Sequence, residues 1–317
     1  MGIDKEKYVR VVDLFAGCGG LSLGFEQAGF EVVAAFERWD AALACYRANL
    51  AHPAVKFDLS NTALAVEEIG KYKPEIIIGG PPCQDFSQAG KRIEADRANM
   101  TECYAQIVAA IKPRFFVMEN VDQARRSRAY GHARQVFVDA GYGLTELVLD
   151  ASLCGAPQKR KRFICFGAFG ESDGFALATF ESRLAKKPMT LRDYFGDSLG
   201  FEFYYRHPRN YSRRGIYSID EPAPTMRGVN RPVPGGYPGH PNDPCPVSRD
   251  LHVLTTQERG WIQTFPRDFR WVGSKTDVEQ MIGNAVPVAL GKFVAETVQE
   301  YANKKKSEKN RRKSKES

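Results

Sequence analysis

The chain has 317 residues, 43% of them hydrophobic, and a formal net charge of +7, which suits an ordinary globular protein of more than one average domain. It contains no run of about 18 apolar residues, which argues against a helical membrane span, and MGIDKEKYVRVVDLF lacks the apolar centre of a secretion signal, so a cytoplasmic protein is expected. Seven cysteines, odd in number and without a Cys-x-x-Cys pair, read as reduced thiols and suggest neither a disulfide framework nor a metal site.

In chain order, short apolar runs alternate with helix-like stretches. The first strand is expected near Val9–Leu14, followed by the glycine-rich Asp13-Leu14-Phe15-Ala16-Gly17-Cys18-Gly19-Gly20 and a helix over 21–28 that Gly29 stops. A strand near Val32–Phe36 ends at Glu37, a helix covers 40–49, and a strand near Val55–Phe57 runs into Asp58. Ile76-Ile77-Ile78 reads as a short buried strand leading into Gly79-Gly80-Pro81-Pro82-Cys83-Gln84. A helix over 101–111, a strand near Phe115–Met118 ending at Glu119, a helix over 131–140 stopped by Gly141, and strands near Leu144–Leu149 and Phe163–Phe166 complete the first half. Repeated β-α units predict an α/β fold with a mostly parallel sheet covered on both faces.

The pattern breaks at about 189–250, which is rich in Pro, Gly, Arg and Tyr and predicts a smaller, loop-rich domain. Helical sequence returns over 278–297, interrupted at its start by Gly283 and Pro287, and the basic tail 304–317 lacks apolar residues and is expected to be disordered. Charge is uneven: residues 151–240 carry 14 basic and 8 acidic groups, a net of +6, and form a candidate surface for a polyanion. A merely solvated basic face would have the same composition.

Three features carry chemistry. Two prolines before Cys83 restrict the backbone that presents it, as befits a nucleophile, although a lone cysteine is more often a small buried apolar residue. The glycine loop followed twenty residues later by Glu37 resembles a dinucleotide site in spacing. It lacks the third glycine and any lysine, which favours an adenosine ligand without a pyrophosphate. Trp39 and Phe15 are placed to sandwich an adenine, with a core role for Phe15 equally compatible. Gln158-Lys159-Arg160-Lys161-Arg162 alternates so that Gln158, Arg160 and Arg162 share one face of a strand, and a solvated basic edge strand would read the same.

Taken together, DLFAGCGGLSLGFEQAGF (13–30), Glu37 with Trp39, Asp58, GGPPCQDFSQAGK (79–91), Glu119-Asn120-Val121, QKRKRF (158–163), LTTQERGWIQTFP (254–266) and QMIGNAVPVALG (280–291) resemble the carbon-5 cytosine DNA methyltransferases, in that family's usual order. The resemblance implies a Rossmann-like, S-adenosylmethionine-dependent catalytic domain over 1–188, completed by 277–303, and a target-recognition domain over 189–276. It implies that Cys83 is the nucleophile toward carbon 6 of cytosine, that Glu119 protonates ring nitrogen 3, that Arg162 binds the cytosine carbonyl oxygen and that Arg160 holds the site together. For the cofactor it carries over Phe15, Gly17, Gly19, Glu37, Trp39, Asp58, Pro81, Met100 (where the family more often has Leu) and Asn284. Otherwise Asp58 would simply cap its turn, and Glu119 would be a strand-end partner in an ion pair.

Base chemistry at a buried cysteine requires the cytosine to leave the duplex stack. Ser87 and Gln88 are candidates for contacts there. Arg206, Arg209, Arg213, Arg214, Arg227 and Arg231 are candidates for contacts to double-stranded DNA, and Thr225 matches a motif that supports the recognition domain. The compact length suggests the modification partner of a restriction endonuclease. The alternatives are a transfer-RNA methyltransferase of the same fold and a catalytically silent DNA-binding regulator.

Overall fold

The computed structural model describes residues 9–82, 99–210, 212–248 and 251–316. Strands β1 (Arg10–Leu14), β2 (Glu31–Glu37), β3 (Ala54–Lys56), β4 (Ile76–Gly79), β5 (Phe115–Val121) and β6 (Tyr142–Asp150) are followed by the two-residue β7 (Gln158–Lys159) and by β8 (Lys161–Phe169). All but β7 form one seven-stranded sheet in the order β3-β2-β1-β4-β5-β8-β6. Strands β1 to β5 are parallel, and β8 runs antiparallel to both neighbours. Because β8 lies inside the sheet, its Lys-Arg sequence is not a solvated edge.

Helices α1 (Gly20–Gln27), α2 (Asp40–Asn49), α3 (Thr62–Gly70), α4 (Met100–Ile111) and α5 (Arg128–Asp139) connect the strands. Side-chain alternation along the buried strands supplies two cores. Ile76, Ile78, Phe115 and Val117 face one side, against Phe25 of α1 and Leu290, Phe293 and Val294. Ile77, Phe116 and Met118 face the other, against Tyr104 of α4 and Phe137 of α5.

The second half adds α6 (Leu177–Arg183), α7 (Leu191–Phe195), β9 (Phe203–Tyr205), β10 (Ile216–Ser218), β11 (Ala223–Pro224), β12 (His252–Val253), α8 (Thr256–Ile262), α9 (Lys275–Asn284) and α10 (Val288–Glu316). Residues 189–250 contain more regular structure than their composition suggests. β10 and β9, joined by β12 just beyond this stretch, make a small sheet, and β11 pairs with β7 of the first half. Thr255 with Glu258 and Ser274 with Asp277 form capping boxes that start α8 and α9. Pro287 separates α9 from α10, where the sequence predicted one interrupted helix.

The predicted disorder of 304–317 is corrected by the structure, since α10 runs on through Glu316. Lys304 and Lys305 extend it through ion pairs with Glu300 (2.7 Å) and Glu171 (2.9 Å), and the Lys, Arg and Glu that follow are good helix formers. Near its other end α10 crosses α1 closely. A Cβ on Gly24 would lie 2.5 Å from the backbone nitrogen of Lys292, so only glycine permits this approach.

Candidate active site

Strands β2 and β4 flank β1 on opposite sides, so the chain leaves the sheet in opposite directions there and opens a crevice at the strand ends. The loop after β1 enters that crevice with Phe15 (φ 56°) and Gly17 (φ 55°) in left-handed backbone. For Phe15 that conformation is costly, and such strain is typical of binding loops. Glu37 holds the loop. Its Oε2 accepts from the Gly17 N–H (2.9 Å), and its Oε1 accepts from Arg38 and Trp39 N–H (both 2.8 Å). A carboxylate has about four acceptor positions, so Glu37 retains capacity toward the crevice.

Phe15, Gly17, Glu37, Trp39, Asp58, Pro81, Met100 and Asn284 all line one cavity of about 670 Å³, which continues to Glu119 and Arg162. Gly19 is not on its wall. At φ 95° it precedes α1, with its Cα against Leu50 and Tyr46. Asp58 serves the turn and the cavity together. Hydrogen bonds from Ser60 hold its carboxyl below the usual range, one of them from the Ser60 N–H to Oδ1 at 3.0 Å.

At the other end of the cavity, Val121 of β5 pairs with Arg162 of β8, which places Glu119 diagonally beside Arg162 on the same face. Arg162 Nε lies 2.7 Å from Glu119 Oε1, with both side chains largely buried. Burial pushes the Glu119 carboxyl above its ordinary value, while Arg162 and Arg160 pull it back. Gly80 brings the end of β4 against this pair, since a Cβ there would lie 3.0 Å from Glu119 Oε2. Asn120 Nδ2 donates to the Pro81 carbonyl (3.0 Å), and Pro82 lines the same cavity. Cys83, Ser87 and Gln88 lie outside the described residues.

Gln158 and Arg160 do share a buried face, with Lys159 and Lys161 exposed. Arg160 donates to the carbonyls of Met226 (3.0 Å), Gly283 (2.8 Å) and Ala285 (3.0 Å). Set between β7 and β8, it joins them to two distant segments. Gln158 accepts from the Met226 N–H (2.8 Å) and donates to Gln263 (2.8 Å), which in turn donates to the Ile282 carbonyl. Thr225 Oγ1 donates to the Lys159 carbonyl (2.8 Å). A second buried arginine, Arg259, pairs with Glu279 (2.7 Å) and donates to the carbonyls of Arg227 and Val229. Residues 225–229 are therefore fixed from three sides.

The arginine candidates divide into two groups. Arg206 donates to the Thr225 carbonyl, Arg227 to the His207 carbonyl, and Arg214 pairs with Glu221 and stacks on Tyr217. Arg209, Arg213 and Arg231 are exposed.

Sequence reasoning missed Asp13, Asn120, Gln263 and Arg259. Asp13 was the most findable, being a charged residue inside the apolar run Val11-Val12-Asp13-Leu14. It is wholly buried, lines the cavity, and its Oδ1 has no hydrogen-bond partner among the described residues. Burial raises its carboxyl to about 7, with a hydrogen bond from Ser22 pulling the other way.

Comparison with known proteins agrees with this geometry. The profile of the C-5 cytosine-specific DNA methylases matches residues 9–300. Over 292 residues, 92% of this chain and 96% of the relative, the chain is 56% identical to the Type II methyltransferase M.HindV of Haemophilus influenzae. It is 53% identical over 296 residues to the Type II methyltransferase M.HgiDI of Herpetosiphon aurantiacus, covering 93% and 96% of the two chains. The fold is similar to that of the S. pombe Dnmt2 methyltransferase, with a TM-score of 0.69 over 94% of this chain and 100% of that one at 17% identity. With a match that spans nearly every strand and both ends of the cavity, the chain belongs to the C-5 cytosine-specific DNA methylase family.

Proposed function

We propose that the protein transfers a methyl group from S-adenosylmethionine to carbon 5 of a cytosine rotated out of a specific DNA duplex, as the modification member of a restriction pair. The observation that carries this reading is a single cavity with an acidic, aromatic adenosine-type end and a buried Glu119–Arg162 pair at the other. The residues present fit the cofactor. Phe15 and Trp39 offer faces to an adenine, Glu37 keeps acceptor capacity for ribose hydroxyls, and the unpartnered Asp13 Oδ1 suits a cationic ligand.

S-adenosylmethionine supplies an electrophilic methyl group. Cytosine carbon 5 is a poor nucleophile until a thiolate adds to carbon 6, and Cys83 is assigned that addition. As the ring takes up the sulfur's electron pair, negative charge grows at nitrogen 3 and the carbonyl oxygen. Glu119, whose carboxyl burial raises above its ordinary value, is assigned the proton donated to nitrogen 3, and Arg162 the stabilisation of the oxygen. Arg160 keeps the strand carrying Arg162 in register with residues 226 and 283–285. Residues 189–276 are assigned to target recognition.

Label from methyl-labelled S-adenosylmethionine is expected in duplex DNA at carbon 5 of cytosine, in a fixed sequence context. Label appearing in transfer RNA alone would overturn the DNA reading, and label in neither would favour a silent regulator. Arg209, Arg213 and Arg231 are assigned to phosphates. Each change to Ala should weaken specific and nonspecific duplex binding alike and reduce the slope of log affinity against log salt by about 0.9. An unchanged slope in all three would remove them from the interface.

A further inference from the structure

Helix α10 crosses the depth of the main sheet. It begins at Val288, just after Val286 on the cavity wall, and by Tyr301 it has reached the opposite edge. There the Tyr301 ring lies 6.3 Å from that of Phe115, the first residue of β5, and 4.8 Å from that of Phe175. Strand β5 runs from this edge to Glu119, Asn120 and Val121 at the cavity. The two paths agree in length, since Val288 to Tyr301 in helix and Phe115 to Val121 in strand both come to about 20 Å. Lys305 pairs with Glu171, just past the end of β8 (2.9 Å), and the helix then continues to Glu316, about 16 Å further from the cavity.

Charge is concentrated on this last stretch. Residues 304–316 include eight basic and two acidic residues, a net of +6. Lys112 and Arg114, exposed on the turn that enters β5, add two cations at the same edge. Glu75 and Glu171 border it, the second paired with Lys305. The family match stops at residue 300, so the charged stretch lies outside it. Like charges crowded on one helix repel and destabilise it, and a nearby polyanion relieves that repulsion. Duplex DNA carries one negative charge per about 1.7 Å of its axis, a density that several lysines and arginines on a short helix can meet at once.

The direction of α10 determines which DNA it meets. Its tip lies about 40 Å along the helix from the cavity wall, and DNA is stiff over a persistence length of about 150 base pairs. A short duplex over the cavity mouth does not reach back to the tip without a sharp bend. We propose that α10 beyond Tyr301 is a second DNA-binding element, which holds a separate segment of duplex by its phosphates while the target segment lies over the cavity. The proposal rests on the DNA reading given above. Two sites at opposite ends of the sheet let the enzyme pass directly between segments, because an incoming duplex binds before the first has left.

Sedimentation of the full-length protein with a duplex of about 14 base pairs, about 48 Å long at 3.4 Å per pair, counts the duplexes bound. The duplex carries the sequence context found by methyl labelling. At low salt the parent protein is expected to carry two. Changing Lys306, Lys309, Arg311, Arg312, Lys313 and Lys315 to Gln, which suits a helix about as well, should leave one. Binding of the second duplex should show a slope of log affinity against log salt of about −5 in the parent. In a release assay, a tenfold rise in unlabelled duplex should speed loss of a labelled one about fivefold from the parent and leave the variant's rate unchanged. Single-turnover methylation of the same duplex should be equal in both proteins, which also shows that the variant folds. One duplex per parent molecule, or two on the variant, would overturn the proposal, as would a second site that prefers single-stranded RNA. A parent protein that binds no duplex at all would instead overturn the DNA reading, and the second element with it.

Discussion

Cys83→Ala is expected to lower methyl transfer by on the order of 10⁶-fold, the scale on which covalent catalysis disappears with its nucleophile, while S-adenosylmethionine still binds nearly as before. No other sulfur is suited to replace it. Cys18, Cys45, Cys103, Cys154 and Cys165 are buried, and burial pushes every one of these thiols up, Cys154 and Cys165 to about 12. Half-buried Cys245 is raised as well, by burial and by Asp243. A thiol held in its neutral form does not add to a pyrimidine. A duplex bearing 5-fluorocytosine provides the direct check, because the fluorine prevents the elimination that would free the enzyme. With cofactor present, the parent protein should form a denaturant-stable complex through residue 83. A complex of equal yield with Cys83→Ala would refute the covalent route.

The second large effect is expected for Glu119→Gln. Loss of a general acid removes about 10²–10⁴ from the rate, and the amide keeps the size of the side chain while losing its ionisable proton. Glu119 sits against Arg162, and a simple ion pair of that kind would have its carboxyl depressed. Burial outweighs both arginines here, so the acid form persists above the ordinary glutamate range. The sign of the pH dependence follows. If protonated Glu119 is the active form, as the proposed mechanism requires, kcat/KM should fall as pH rises through the Glu119 pKa, and this limb should vanish in Glu119→Gln. If the limb survives in the variant, some other group titrates there and the assignment of the acid is wrong. Cofactor affinity measured by calorimetry should change little in the same variant.

The chain announces much of this site because its chemistry sits at strand ends, where local sequence and position coincide. Val9–Leu14, Ile76–Ile78 and Phe115–Met118 are largely apolar runs that each stop where the backbone turns into the cavity, so strand ends near Phe15, Pro81 and Glu119 were legible locally, while the roles expected of those residues came from the resemblance. The alternation of Gln158, Arg160 and Arg162 was legible too, but their partners were not. Arg160 meets carbonyls 66 to 125 residues away, and nothing local to Met226, Gly283 or Ala285 records that they will meet it. The same holds for Arg259 with Glu279, and for Gln158 with Gln263. The small sheet β10-β9-β12 was hidden for a different reason. Its strands are two or three residues long, too short for any periodicity to rise above the surrounding Pro and Gly. The helical end of α10 was misread because a polar, charged composition suits both a solvated helix and no structure at all.

The wall formed by Met281, Gly283, Asn284, Ala285 and Val286 closes a cavity whose remaining sides come from residues 13–162. Synthesis proceeds from the amino terminus, so a growing chain makes all seven strands of its main sheet before it makes that wall. Until α9 and the residues just after it have been made, the nascent protein holds Glu119 and Arg162 but has no complete cavity around them. A segment made late in synthesis thus sets the earliest moment at which the cavity can close.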